Sequence, residues 1–101
     1  MIARLWRGRA TTQAERYYRH ATATVFPELA KLRGHRGAWL LRREVDGQTE
    51  FLALTLWDSV DAIKAFAGED ISVAIVEPEG QTALSAYDDF AVHYEVAFTT
   101  P

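Results

Sequence analysis

Three histidines are the side chains of this 101-residue chain that change charge near neutral pH, and their sequence surroundings differ. His93 stands in the middle of FAVHYEVAF, Phe90 to Phe98, where apolar and mixed positions alternate. In a strand it shares a row with Glu95. An imidazole in that setting is a general base near pH 7, or a histidine satisfied by Glu95 or by a subunit interface. His20 lies three residues after Tyr17 on a helical pattern, so it either reaches the mouth of a pocket or is solvated. His35, between Gly34 and Gly37 in a basic loop, is expected to be exposed. Arg42 and Arg43 point to opposite faces of a strand. One of them therefore lies near a buried region, with Glu44 or Glu50 as a partner. Cysteine is absent, which excludes disulfides, thiol chemistry and cysteine metal sites. The sequence has no carboxylate pair, triad, phosphate loop or metal-spaced cluster.

A pocket needs walls as well as a base. Phe51 to Trp57 forms an unbroken run with Phe51, Ala53, Thr55 and Trp57 in one row and Leu52, Leu54 and Leu56 in the other. If the Trp57 row faces helices, Ala53 and Thr55 are small where a filled core would carry large residues. A cavity there would be lined by Trp57, Phe66, Tyr17 or Tyr18, and Trp6. The plainer reading of each is an ordinary core aromatic.

The elements that must position these residues follow from the pattern. Ile2 to Arg9 reads as a strand, and Thr12 with Glu15 as a capping box. Gln13 to Leu32 reads as a long helix in which Ala14, Tyr17, Tyr18, Ala21, Val25, Leu29 and Leu32 recur at three- and four-residue spacing. Pro27 is expected to kink or split it near Thr24. Ala38 to Val45 and Gln48 to Trp57 read as a hairpin across Asp46-Gly47. Asp58 or Ser59 caps a helix with Val60, Ile63, Phe66 and Ala67 on one stripe, ending at Gly68. Glu69 to Tyr87 is irregular: Pro78 and Gly80 read as breakers and Gln81 to Tyr87 as a short helix. Phe90 to Phe98 is the final strand. This order gives an α+β, ferredoxin-like split β-α-β protomer with an antiparallel sheet, occupying residues 1–101 as a single domain. Such a sheet carries helices on one face, yet its strands are apolar on both, so a second copy packed face to face is expected.

The formal net charge is −3. The basic residues gather in the first 43 positions, but they spread over strand, helix and loop without a nucleic-acid motif. No nucleic-acid partner is expected. Neither a signal peptide nor a long apolar run is present, so no membrane association and a cytoplasmic location are expected.

Trp57-Asp58-Ser59, Ala62, Ala65-Phe66-Ala67-Gly68 and Val92-His93-Tyr94-Glu95-Val96 resemble the antibiotic-biosynthesis monooxygenase family, over nearly the whole chain. The resemblance implies a dimeric α+β barrel of ferredoxin-like protomers. It also implies a monooxygenase that oxidises a small aromatic, polyketide-type substrate with O2 and no cofactor. Trp57 matches the pocket Trp of the family's W-x-S motif, which adds it to the candidate catalytic residues. The family's pocket Asn, four residues earlier, falls on Ala53, and its Tyr, six residues later, on Ile63. In the haem-degrading members the axial His would fall near Ile75 or Val76, the second-helix Trp on Phe66 and the first-strand Asn near Trp6. His20 and His93 remain the imidazoles that a haem could use. The reading is thus His93 as proton acceptor, His20 as second choice, and Trp57, Trp6, Tyr17, Tyr18, Phe66 and Ala53 around the substrate, with no metal. The alternatives on the same fold are a haem- or porphyrin-binding protein, a polyketide cyclase and a non-catalytic binding dimer.

Overall fold

Pro27 decides how the first helical segment is built. In the computed structural model, which describes residues 1–101, α1 covers Ala14–His20 and α2 covers Phe26–Ala30. Between them Ala21–Val25 widens into a π turn, and the Phe26 amide donates to the Ala21 carbonyl five residues back. Proline has no amide to give and its ring crowds the preceding turn, so the chain opens by one residue just before it. The expected split near Thr24 takes this form. The expected capping box does not: Gln13 is the N-cap, and its side chain accepts from Arg16 Nη1 at 2.8 Å instead of capping the first turn. The helix starts one residue too late for Thr12 to pair with Glu15, whose carboxylate instead lies 3.4 Å from Arg42.

Strand β1 is Ile2–Ala10, β2 His35–Val45 and β3 Gln48–Trp57. Asp46 and Gly47 both have positive φ, 51° and 75°, as a tight hairpin turn requires. Helix α3, Val60–Ala67, is capped by Ser59, whose Oγ accepts from the Ala62 amide at 3.2 Å. Downstream, the structure corrects three expectations. Pro78 begins α4, Pro78–Ala83, rather than breaking it, because a missing amide costs nothing at a helix start. Ala86–Tyr87 is a short strand, β4, on β1 where a helix was expected. The final strand β5 is only Val92–Glu95. It pairs with Ile2 to Leu5 of β1, the Val96 amide donates to the Met1 carbonyl at 2.9 Å, and the Gly8–Arg9 end of β1 is taken by β4.

The sheet runs β2-β3-β1, with β4 and β5 following one another along the far edge of β1. All pairings are antiparallel. Register fixes the faces, since residues directly opposite one another share a side. Ile2, Arg4, Trp6, Gly8 and Ala10 pair with Trp57, Thr55, Ala53, Phe51 and Thr49, and His93 pairs with Arg4. These residues lie under the helices. Leu5, Leu52, Leu54, Leu56, Trp39, Leu41, Val92 and Tyr94 occupy the other face. Nothing in the chain covers it: Trp39 is 49% exposed and Tyr94 60%.

Under the helices the core is two clusters. Phe51, Tyr17, Ala21, Ala10, Ala83 and Leu84 form one; Trp57, Leu29, Ile63 and Ala67 form the other. Phe51 and Trp57 are fully buried at the two ends of the same β3 row. The small residues Ala53 and Thr55 stand between them.

Candidate functional site

That gap is a cavity of about 80 Å³, floored by Arg4, Trp6, Ala53 and Thr55. By volume it would hold roughly half a dozen water molecules. Tyr17 and His20 from α1, Val25 from the π turn, and Phe26 and Leu29 from α2 form one wall, with Phe66 of α3 at the end. Residues Ala74 to Glu77, an extended stretch before α4, form the opposite wall. Ile75 and Glu77 are exposed and mark the mouth. This stretch is pinned by the Ala74 amide on the Asp89 carbonyl at 2.9 Å and by Gln81 Nε2 on the Val76 carbonyl at 2.8 Å. The bidentate Arg16–Glu79 pair, at 2.6 and 2.9 Å, ties α1 to α4. The extra residue of the π turn sits beside the cavity, putting His20 and Val25 five positions apart on the same wall.

The lining is apolar except for a few groups, and the most consequential is Arg4. Its side chain is buried, with the residue 5% exposed, and it forms no ion pair. Its Nη1 donates to the Ile71 carbonyl and to His93 Nε2 (2.9 Å), and its Nη2 donates to the Val73 carbonyl at 3.2 Å. The guanidinium lies 5.6 Å from the centre of the Phe66 ring. Burial pushes its pKa below the ordinary arginine value. A guanidinium carries donors only, so His93 Nε2 must be the lone-pair nitrogen and the ring is the neutral Nδ1–H tautomer. Burial, and then the Arg4 charge, hold the His93 pKa below the usual histidine value, in line with that tautomer.

The row of the final strand therefore places His93 on the helix-covered side, with its basic nitrogen directed at Arg4. Its partner is Arg4 rather than Glu95, which is exposed and forms no ion pair. His20 lines the cavity itself. Its side chain is 8% exposed and its Nε2 stands 3.8 Å from a Glu77 carboxylate oxygen. Tyr17 also lines the cavity, but burial pushes its phenol up to about 12. It is a wall, with a proton it does not release at neutral pH. Trp6, Ala53 and Phe66 are in the lining. Tyr18 is not: it turns outward, 40% exposed, beneath the Arg42 guanidinium. Trp57 is not in the lining either. It is fully buried behind Phe66, 6.0 Å between ring centres, with its Nε1 donating to Thr55 Oγ1 at 2.9 Å. It supports the floor and end of the cavity from below. The loop reading of His35 is corrected: it begins β2 and packs edge-on against Trp57 at 5.0 Å, half-buried, because Gly34, at φ 86°, lets the backbone run close to Ala62 of α3.

The sequence reading did not single out Arg4. The signal was available: an arginine in the Ile2–Trp6–Gly8 row that the apolar residues assign to the covered face.

No group of three or more His, Asp or Glu side chains is placed to hold a metal ion. The residues also do not fit a haem. Ile75 and Val76 stand where the resemblance puts the axial ligand, and His93 directs its only lone pair at a cation. His20 alone faces the cavity, with its Nε2 toward the Glu77 carboxylate at 3.8 Å.

The fold is that of the antibiotic biosynthesis monooxygenases. SnoaB, a cofactor-independent oxygenase from Streptomyces nogalater, aligns over 99% of this chain and 97% of its own with a TM-score of 0.63 and 19% identity. A Bacillus cereus protein provisionally assigned as an antibiotic biosynthesis monooxygenase aligns over 99% and 92%, with a TM-score of 0.52 and 15% identity. MhuD, a haem degrader from Mycobacterium tuberculosis solved with two haems in its active site, aligns over the whole of both chains, with a TM-score of 0.53 and 16% identity. At the level of sequence, no family model and no curated protein matches the chain.

Proposed function

We propose that this protein is a cofactor-independent monooxygenase acting on a small aromatic, polyketide-type molecule in the cavity beneath the helices. The observation that carries the reading is a buried, unpaired cation beside an aromatic-walled cavity that also holds an imidazole. Oxidation of a phenolic ring by O2 without a cofactor needs the substrate as an anion, a base to make it, and a positive group to hold the charge in a water-poor site. Arg4 supplies the charge, and His20 is the imidazole in position to take the proton. His93 keeps Arg4 oriented and stays neutral.

For a ring CH2 conjugated through its flanking aromatic rings to a ring ketone, as in an anthrone, the C–H proton passes to His20 and the negative charge settles on the former ketone oxygen near Arg4. The carbanion gives one electron to O2, and superoxide and the carbon radical join in a C–O bond. The imidazolium returns its proton to the peroxide. Loss of the second C–H proton then breaks the O–O bond, leaving a carbonyl and one water. One O2 is consumed per CH2 oxidised.

The uncovered apolar face supports a homodimer in which two such sheets pack together. No helix of the chain is long and apolar enough to cross a membrane, and a cytoplasmic location goes with this reading.

The test is oxygen uptake with 1,8-dihydroxyanthrone. The expected result is consumption above the solution rate with quinone formed one for one, reduced about 10²–10⁴-fold in His20→Ala. A rate no greater than autoxidation, for this and related phenols, would overturn the proposal. A haem-binding reading would instead produce a new absorbance band on adding haemin that is lost in His20→Ala.

A further inference from the structure

Arg4 uses only part of its hydrogen-bonding capacity. A guanidinium has five N–H groups. Three have protein acceptors: the Ile71 carbonyl, the Val73 carbonyl and His93 Nε2. All three acceptors are neutral. The Nε–H and one Nη2–H have none, and the side chain lines the cavity. A residue needed only to clamp the 71–73 stretch to β1 would do so without a net charge, and a buried charge lacking a counter-charge is costly. Glu77 is the carboxylate in the lining; it lies at the mouth beside His20 and makes no bond to Arg4.

We propose that Arg4 is an anion-recognition group, and that the cavity takes its aromatic ligand as an oxyanion received by the two unused N–H groups. The ring of that ligand would lie among Trp6, Tyr17 and Phe66, with its charged edge toward β1. His93 acts on the ligand through Arg4 and is a positioning residue: its lone pair fixes the rotation of the guanidinium so that the unused N–H groups face the cavity. The inference rests on the cavity being the ligand site, as proposed above, and not on oxygen chemistry, so it is read by binding rather than turnover.

The experiment is an NMR titration of the purified protein with benzoate and with benzamide, its uncharged isostere, following the Arg4 Nε–H resonance and the shifts of Trp6 and Tyr17. Benzoate is expected to bind at least about tenfold more tightly than benzamide and to move the Arg4 Nε–H downfield, as a charge-assisted bond does. A 4-nitrophenolate arm, compared with nitrobenzene, separates phenolate from carboxylate sources of the same charge. Arg4→Met is expected to erase the discrimination. His93→Gln, whose amide oxygen can still accept from Arg4, is expected to keep most of it, and His93→Leu to lose it. Equal affinity for the charged and neutral members of both pairs, or no binding of either anion, would overturn the proposal and leave Arg4 as a structural clamp. Those readings use the wild-type protein and stand even if Arg4→Met does not fold. An anion preference without oxygen uptake would keep this inference and remove the oxygenase.

Discussion

The two faces of the sheet are built from the same three long strands and solve different problems. The helix-covered face is interrupted: Phe51 and Trp57 fill its ends, while Ala53, Thr55 and a buried Arg4 leave its middle hollow and charged. The open face is continuous. Leu52, Leu54 and Leu56 meet Trp39, Leu41, Leu5, Val92 and Tyr94, and the edge carries Glu50, buried among Arg43 at 2.6 Å and Arg7 and Arg9, each at 3.8 Å. A hollow with one fixed charge suits a small ligand. A broad apolar surface edged by satisfied charges suits a large, flat partner, for which a second copy is the economical choice.

The largest effect expected is on the covered face outside the hollow. Trp57→Ala should destabilise the fold by about 3–5 kcal/mol in urea titration, because the ring is fully buried between Leu29, Ile63 and Phe66. A loss under about 1 kcal/mol would mean the second core cluster does not hold α3 to the sheet. On the open face Trp39→Glu should leave the protomer folded and lower the mass seen by light scattering from dimer to monomer, an effect of about 2 kcal/mol or more on association. A wild-type protein already monomeric at high concentration would remove the contrast. Ala53→Leu should sharpen it. Filling the hollow is expected to change stability by less than about 1.5 kcal/mol while abolishing benzoate shifts at Arg4. Retained binding would put the ligand elsewhere.

The smallest effect concerns pH. His93 and His35 are both held below the ordinary histidine value of 6.5, chiefly by burial. The unfolded chain thus takes up protons that the folded chain resists. Their contribution to stability is present above about pH 6.5 and is lost as pH falls through their lowered folded values. Urea midpoints should decline over that window, and His93→Gln should flatten part of the decline. An unchanged slope would mean that His93 titrates normally and does not face a charged Arg4.

Much of the covered face was legible beforehand. The alternation in Phe51–Trp57 and the Asp46-Gly47 turn defined the central hairpin, and a cap at Asp58 or Ser59, which the structure places on Ser59, and Gly68 bounded α3. The small pair Ala53 and Thr55 pointed to the hollow. What escaped depended on tertiary pairing. The short strands β4 and β5 share one edge of β1, a division that no local pattern reveals. Trp57 matched a family motif, but its depth beneath Phe66 follows from how α3 crosses the sheet. Arg4 looked like one of many N-terminal arginines; its row with Ile2 and Trp6 was the available signal, and the register with Thr55 and His93 shows it to be the buried one.

The most direct test of the contrast between the faces is a crystal structure grown with benzoate. The account predicts its carboxylate within hydrogen-bond reach of Arg4, its ring against Trp6 and Phe66, and the Trp39–Tyr94 face closed by a second copy. Benzoate absent from the hollow, or lying on the Trp39–Tyr94 face with no second copy across it, would contradict the division of labour between the two faces.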